Sequence, residues 1–233
     1  QLRNDGYSIF IKDLQGLGYL PEAVINWIAL MGWSYDDHTE YFTLEDLIEK
    51  FSLEKLNPSP AAINFSKLDH FNKMHIKKLS DKDLAERLMP FFLKNKIKAS
   101  INQLEKIAPA LKDRITTLDD SVDKCRFLFT ENIQHQAGAL QIKDLSIEKS
   151  YEISEEILKV MSSISTWTLA SIEKNVSDYM EKEGLEPKQL LSYLREAISG
   201  QNVIPPLYES MYVLGKEVTV ARLKESMKIL AVQ

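Results

Sequence analysis

Helix-start signals followed by apolar residues at three- and four-residue spacing recur along almost the whole chain, and they leave room for little except helices. Thr43 is followed three residues later by Asp46, and Ser80 by Asp83; such pairs satisfy the unpaired amides of a helix's first turn. Behind them run Leu44, Leu47, Ile48 and Phe51, then Leu84, Leu88, Phe91 and Phe92. Pro21 opens a dense apolar stretch that closes at Gly32, and Asn64 precedes a short stripe carrying Leu68 and Phe71. The pattern restarts near Ser100 with Ile101, Leu104, Ile107 and Leu111, and again at Thr117 to Asp120 before Val122, Cys125, Phe127, Leu128 and Phe129. Further helices are predicted over 154–163, 168–183, 187–199 (ended by Gly200) and 207–214 (ended by Gly215), with a last stripe of Val220, Leu223, Met227 and Leu230. Asn57-Pro58-Ser59-Pro60 must be a break, Pro90 is expected to kink or shorten its helix, and residues 131–150 read as a loop with short helical pieces. Only Tyr7 to Ile11 hints at a strand. The chain is expected to be all-α.

Its 233 residues suffice for one large or two small domains with a real core. A single cysteine, Cys125, excludes an internal disulfide, so a cytoplasmic setting or an organelle matrix is expected. No 18-residue apolar run predicts a membrane span. The first residues, with no initiator Met and no secretory pattern, suggest a fragment or a processed chain. A net charge of -5 argues against non-specific coating of nucleic acid, which rests on counterion release by many cations. The balance is uneven: residues 81–150 carry 12 basic and 11 acidic side chains, whereas both flanking segments are acidic. A polyanion would therefore meet local patches of the middle segment.

Catalytic constellations are missing from the sequence. His70 and His75 are five apart, off the spacing that places two ligands on one helical face, and no partners complete a zinc set with His38 or His135. There is no Gly-rich phosphate loop, GxSxG or HExxH. Asp36-Asp37 and Asp119-Asp120 fit a solvated turn and a helix's first turn, and Cys125 falls on an apolar stripe. No catalytic residue and no metal ligand is expected.

Three stretches exceed what a bland helical domain needs. The first is Gly18-Tyr19-Leu20-Pro21-Glu22-Ala23-Val24-Ile25-Asn26-Trp27-Ile28-Ala29-Leu30-Met31-Gly32-Trp33-Ser34, and the second Asp113-Arg114-Ile115-Thr116-Thr117-Leu118. The third joins Leu194-Arg195-Glu196-Ala197-Ile198-Ser199-Gly200, Ile204-Pro205-Pro206-Leu207-Tyr208-Glu209, Leu214-Gly215-Lys216-Glu217 and Ala221-Arg222-Leu223. In this order they resemble the C-terminal half of a bacterial-type glutamyl-tRNA synthetase. The resemblance implies a helical stem-contact segment over 1–80, following a class I catalytic domain that is missing here. Two anticodon-binding subdomains of an α-helix cage would follow, over 81–150 and 151–233. The parent would be a monomeric aminoacyl-tRNA synthetase, a ligase that joins glutamate to tRNA(Glu) with ATP and magnesium in protein biosynthesis. This segment would hold no cofactor and position the tRNA without doing chemistry. A free-standing helical RNA-binding adaptor and a protein-interaction module are the alternatives.

The resemblance also assigns residues. Arg114 matches a position that presents an arginine to the last anticodon base; its alternative is a helix-capping arginine. Arg195 is the second such candidate, and Ile204 and Leu207 match positions facing the other anticodon bases. Ile204 stands where the family often has a small hydroxyl residue, so only backbone contacts are expected there. Phosphate contacts are expected from Lys73, Lys77 and Lys78 or from Lys94, Lys96 and Lys98, one cluster rather than both. Trp167 suits core packing better than base stacking.

Overall fold

The computed structural model describes residues 10–57, 63–136, 138–201 and 205–232. Among these residues it holds twelve α-helices, two 3₁₀ turns and one isolated bridge pairing Trp33 with Leu56. The chain divides into two compact units, residues 1–123 and 124–233.

The first unit contains α1 (Ile11–Leu17), α2 (Pro21–Leu30), α3 (Leu44–Lys50), α4 (Phe65–Lys78), α5 (Asp81–Lys94) and α6 (Ile101–Leu111), and α7 (Asp120–Cys125) begins in it. The starts follow the sequence signals: Thr43 and Asp46 form a full capping box, and Asn64, Ser80 and Ser100 each accept an amide of the first turn. The core joins Leu14, Val24, Trp27, Leu68 and Phe71. Pro90 does not shorten α5, which runs on to Lys94; full burial of Leu88 and Phe92 offsets the one lost backbone hydrogen bond. The suggested strand is corrected at its end, because Ile11 opens α1; Tyr7 to Ile9, like Pro58 to Pro60, lie outside the described residues.

Two buried asparagines organise this unit. Asn26, fully buried, donates to the Glu40 carbonyl and accepts from the Phe42 amide at 3.0 Å. Its Oδ1 also lies 3.1 Å from His75 Nε2, and an amide oxygen can only accept, so that nitrogen is the donor. Burial holds the His75 pKa below the ordinary imidazole value, against a weaker opposite pull from Glu22. Below about pH 6.5 the unfolded chain therefore binds a proton that the folded chain resists. Stability from this group is present above that pH and lost as pH falls. Urea unfolding at pH 7 and pH 5 is expected to show a steeper acid loss for the wild type than for His75→Gln.

The second unit contains the 3₁₀ turn 126–129, then α8 (Ile147–Ser163), α9 (Leu169–Glu183), α10 (Pro187–Ser199), α11 (Leu207–Leu214) and α12 (Lys216–Leu230). Helix α8 starts well before residue 154. Its first inward positions are the buried Ser150 and Ser154, so the apolar period is invisible there. Ser150 Oγ spends its hydrogen bonds on the Ser146 carbonyl and the Ile142 amide. Cys125 is fully buried, and burial pushes its thiol up to about 12, so it carries no thiolate at neutral pH.

Candidate functional site

In the first unit, two of the three distinctive stretches meet. Asn72, fully buried on α4, accepts the Leu20 amide at 2.8 Å and donates to the Thr116 carbonyl. The Leu118 amide donates to the Gly18 carbonyl at 3.0 Å. The approach is so close that a Cβ on Gly18 would lie 2.7 Å from the amide nitrogens of Leu118 and Asp119. Asp120 Oδ2 accepts the amides of Thr116 and Thr117, and Ile115 is anchored in the core at 1% exposure. The turn that follows α6 is thereby fixed at both ends, and the residue it presents is Arg114.

Arg114 is exposed, and its Nη1 donates to the Ala110 carbonyl at 3.1 Å. That is the helix-capping contact its position allowed. The remaining guanidinium N–H groups have no hydrogen-bond partner among the described residues, so a donor edge stays available to a ligand. Beside it, Lys77 pairs with Asp113 at 2.7 Å and, as the largest cause, holds that carboxyl below its usual range. A nearby cleft of about 350 Å³ is lined by Asp69 and Asp120 with Leu17, Tyr19, Thr116 and Thr117; its acidic wall does not suit phosphate.

In the second unit, Arg195 projects half-buried from α10, with no hydrogen-bond partner for its guanidinium among the described residues. Its charge opposes the burial that raises the pKa of the Tyr208 hydroxyl. Tyr208 is thus a neighbour of Arg195 that no motif singles out. The end of α10 is braced from two sides. His135 Nδ1 lies 3.3 Å from Glu196 Oε1, their side chains 6% and 4% exposed. Arg222, 7% exposed on α12, donates from Nη1 to the Ile198 carbonyl and from Nη2 to the carbonyls of Phe127 and Thr130. Neither brace was legible, because both join residues far apart in the chain.

The other candidates are placed as follows. Leu207 opens α11 at 4% exposure, so the residue packs inward. Ile204 lies outside the described residues. Lys73, Lys77, Lys78, Lys94, Lys96 and Lys98 are all exposed. Lys77 is engaged by Asp113 and Lys78 sits 6.0 Å from the Tyr41 ring, whereas Lys94, Lys96 and Lys98 have no carboxylate partner among the described residues. Trp167 donates its indole N–H to the Met211 carbonyl, as a packed aromatic does. Among the described residues no group of three or more His, Cys, Asp or Glu converges as a metal site, and no helix is long and apolar enough to cross a membrane.

Comparison with known proteins gives these features a context. Residues 83–227 match the anticodon-binding domain family, and residues 3–70 match the catalytic domain family of class I tRNA synthetases (E and Q). A glutamate–tRNA ligase of Dehalococcoides mccartyi is 35% identical over 88% of this chain and 44% of its own length. One from Borrelia duttonii is 34% identical over 95% of the chain and 44% of its length. The crystal structure of a glutamate tRNA ligase from Elizabethkingia meningosepticum, in complex with its amino acid, superposes with a TM-score of 0.82 at 25% identity. It covers 93% of this chain and 43% of that one. The chain spans less than half the length of these relatives. With well over half of its residues inside one family match, the chain belongs to the anticodon-binding domain family.

Proposed function

We propose that this chain is the tRNA-recognition part of a glutamate–tRNA ligase that attaches glutamate to tRNA(Glu), and that it positions the tRNA without taking part in the chemistry. The observation that carries this reading is the family match over 83–227, which encloses an exposed arginine on a rigid turn with a free donor edge. On this reading residues 1–80 would contact the stem, and 81–150 and 151–233 the anticodon arm. ATP and magnesium would, on the same reading, be used by the catalytic part of the ligase.

Sequence in RNA is read from unstacked bases through their exposed edges. Cytosine presents O2 and N3 as acceptors, which suit a donor-only guanidinium; guanine's edge would set donors against donors. The family resemblance assigns Arg114 to the last anticodon base, and this chemistry suits a cytosine there. Arg195, with Tyr208 beside it, is assigned to a second base, and Leu207 and Ile204 contribute backbone groups. The unpaired Lys94, Lys96 and Lys98 are the better phosphate cluster, ahead of Lys73, Lys77 and Lys78, because Lys77 would first have to give up Asp113.

The test is binding of tRNA(Glu) and of a variant whose anticodon ends in G. Arg114→Ala is expected to weaken the cognate tRNA by about 1–3 kcal/mol and the variant far less. Equal losses for both would reduce Arg114 to a phosphate contact. Cognate binding with no dependence on salt would remove the RNA reading altogether.

A further inference from the structure

Helices α8 and α9 pack along each other in the second unit and leave a groove of about 390 Å³ between them. Glu156, Lys159 and Val160 line it from α8, and Asn175, Tyr179 and Lys182 from α9, at the three- and four-residue spacings that put side chains on one helical face. Tyr179 is 4% exposed, and its hydroxyl is buried with no hydrogen-bond partner among the described residues. An unpartnered buried hydroxyl costs folding free energy, so one in the wall of a groove calls for an explanation. Two further acceptors of the same groove are uncommitted. The Asn175 side-chain nitrogen donates to the Ser171 carbonyl at 2.8 Å, which leaves Oδ1, and Glu156 forms no ion pair among the described residues. The lysines, by contrast, are engaged, Lys159 with Glu155 at 3.2 Å and Lys182 with Glu183 at 2.9 Å. Burial first, and then the carboxylates of Glu156 and Glu183, hold the Tyr179 pKa well above the ordinary phenol value. The hydroxyl therefore stays protonated, in a negative field.

We propose that this groove binds a primary alkylammonium, whose charged nitrogen meets Glu156, Asn175 Oδ1 and the Tyr179 oxygen while its aliphatic stem lies along the Tyr179 ring and Val160. An ammonium carries three N–H donors and no acceptor, and each of the three uncommitted groups offers an acceptor. Among the described residues no three metal-ligating side chains converge, so the match is to an organic cation and not to a metal ion. An anion would meet the charge of Glu156 and would have to draw Lys159 and Lys182 away from their carboxylates. The site is independent of the tRNA reading. Glu173 and Ser177, which act on Tyr208 beside Arg195, lie on the opposite side of α9 from Asn175, Tyr179 and Lys182. The same ligand chemistry occurs in a free aliphatic diamine and in a lysine side chain of a partner protein.

The test titrates the isotope-labelled chain with putrescine and, separately, with acetyl-lysine methylamide bearing a free side-chain amine, and follows the amide shifts by NMR. Saturable shifts confined to residues 153–160 and 175–183 are expected, and none from an uncharged diol of the same length as putrescine. Tyr179→Phe removes only the oxygen and is expected to weaken binding about tenfold, and Glu156→Gln about as much. Glu181→Gln removes the same charge from α9 outside the groove and is expected to change the affinity by less than about twofold. Tyr179→Phe is also expected to hold or raise Tm, because the hydroxyl it deletes has no partner. A fall in Tm would give that oxygen a partner inside the fold and overturn the site. Unchanged affinity in Tyr179→Phe overturns it too, as do equal losses from Glu156→Gln and Glu181→Gln, which would reduce the binding to diffuse charge attraction. Tighter binding of putrescine identifies a free diamine as the source, and tighter binding of the lysine derivative a partner's side chain; either supports the site, and binding of neither overturns it.

Discussion

Arg222→Ala is expected to lower the unfolding free energy by about 3–5 kcal/mol, read as a fall in the urea midpoint followed by circular dichroism. The guanidinium is 7% exposed and serves three backbone carbonyls, those of Ile198, Phe127 and Thr130. No carboxylate neutralises it, and its Nε is buried without a partner among the described residues. Burial alone drives its pKa down to about 10, so the charge itself costs folding free energy at neutral pH. The sign is opposite to that of a salt-bridged arginine: the unfolded chain holds the proton more tightly, and this contribution to stability rises with pH above about 10. What holds the arginine in place is therefore its hydrogen bonds. Removing it leaves three carbonyls unmet, each worth about 1–3 kcal/mol, partly offset by relief of the buried cation. Arg222→Met separates the two terms, since it keeps most of the volume and none of the donors. A methionine variant as stable as the wild type would show that packing, and not the donors, does the bracing.

Gly200→Ala is the second large effect, expected at about 3 kcal/mol or more. The residue ends α10 at φ +65°, a conformation that costs a side-chain-bearing residue about 1–2 kcal/mol. A Cβ there would also stand 2.3 Å from the Gln134 carbonyl oxygen and 2.8 Å from Ile133 Cγ2, backbone and side chain that cannot both give way. Relief requires moving the segment that carries His135, and with it the contact to Glu196 beneath Arg195. Gly184 provides the control. It ends α9 at φ +64°, and nothing lies within 4 Å of its would-be Cβ. Gly184→Ala should cost only the conformational part, about 1 kcal/mol. Equal losses at the two glycines would show that the close approach at Gly200 carries no energy.

The same contrast explains how much could be read from the residues alone. The Thr43–Asp46 box, the Ser80 and Thr168 caps and the closing Gly200 and Gly215 fall where the sequence signals place them. The start of α8 leaves no apolar period because serines occupy its first inward positions, and α1 leaves none because Ile11 to Leu17 carry only Leu14 as a buried anchor. At the candidate site, exposed Arg114 and half-buried Arg195 were legible as residue types in motifs. Asn72, Tyr208 and the His135–Glu196 contact were not, since no local period marks a polar side chain whose partner lies on another element.

The amino-acid order by itself determined the all-helical class, the positions of most helix ends and membership of the anticodon-binding domain family. These depend on interactions within four residues, where a cap, a turn glycine or an apolar repeat acts on its own neighbours. Only the tertiary structure decided that Leu207 turns inward, that Arg222 braces three carbonyls and that α3 leaves Leu44, Ile48 and Phe51 uncovered. Which face of an element is buried depends on the surface brought against it from elsewhere in the chain, and periodicity states only that such a face exists.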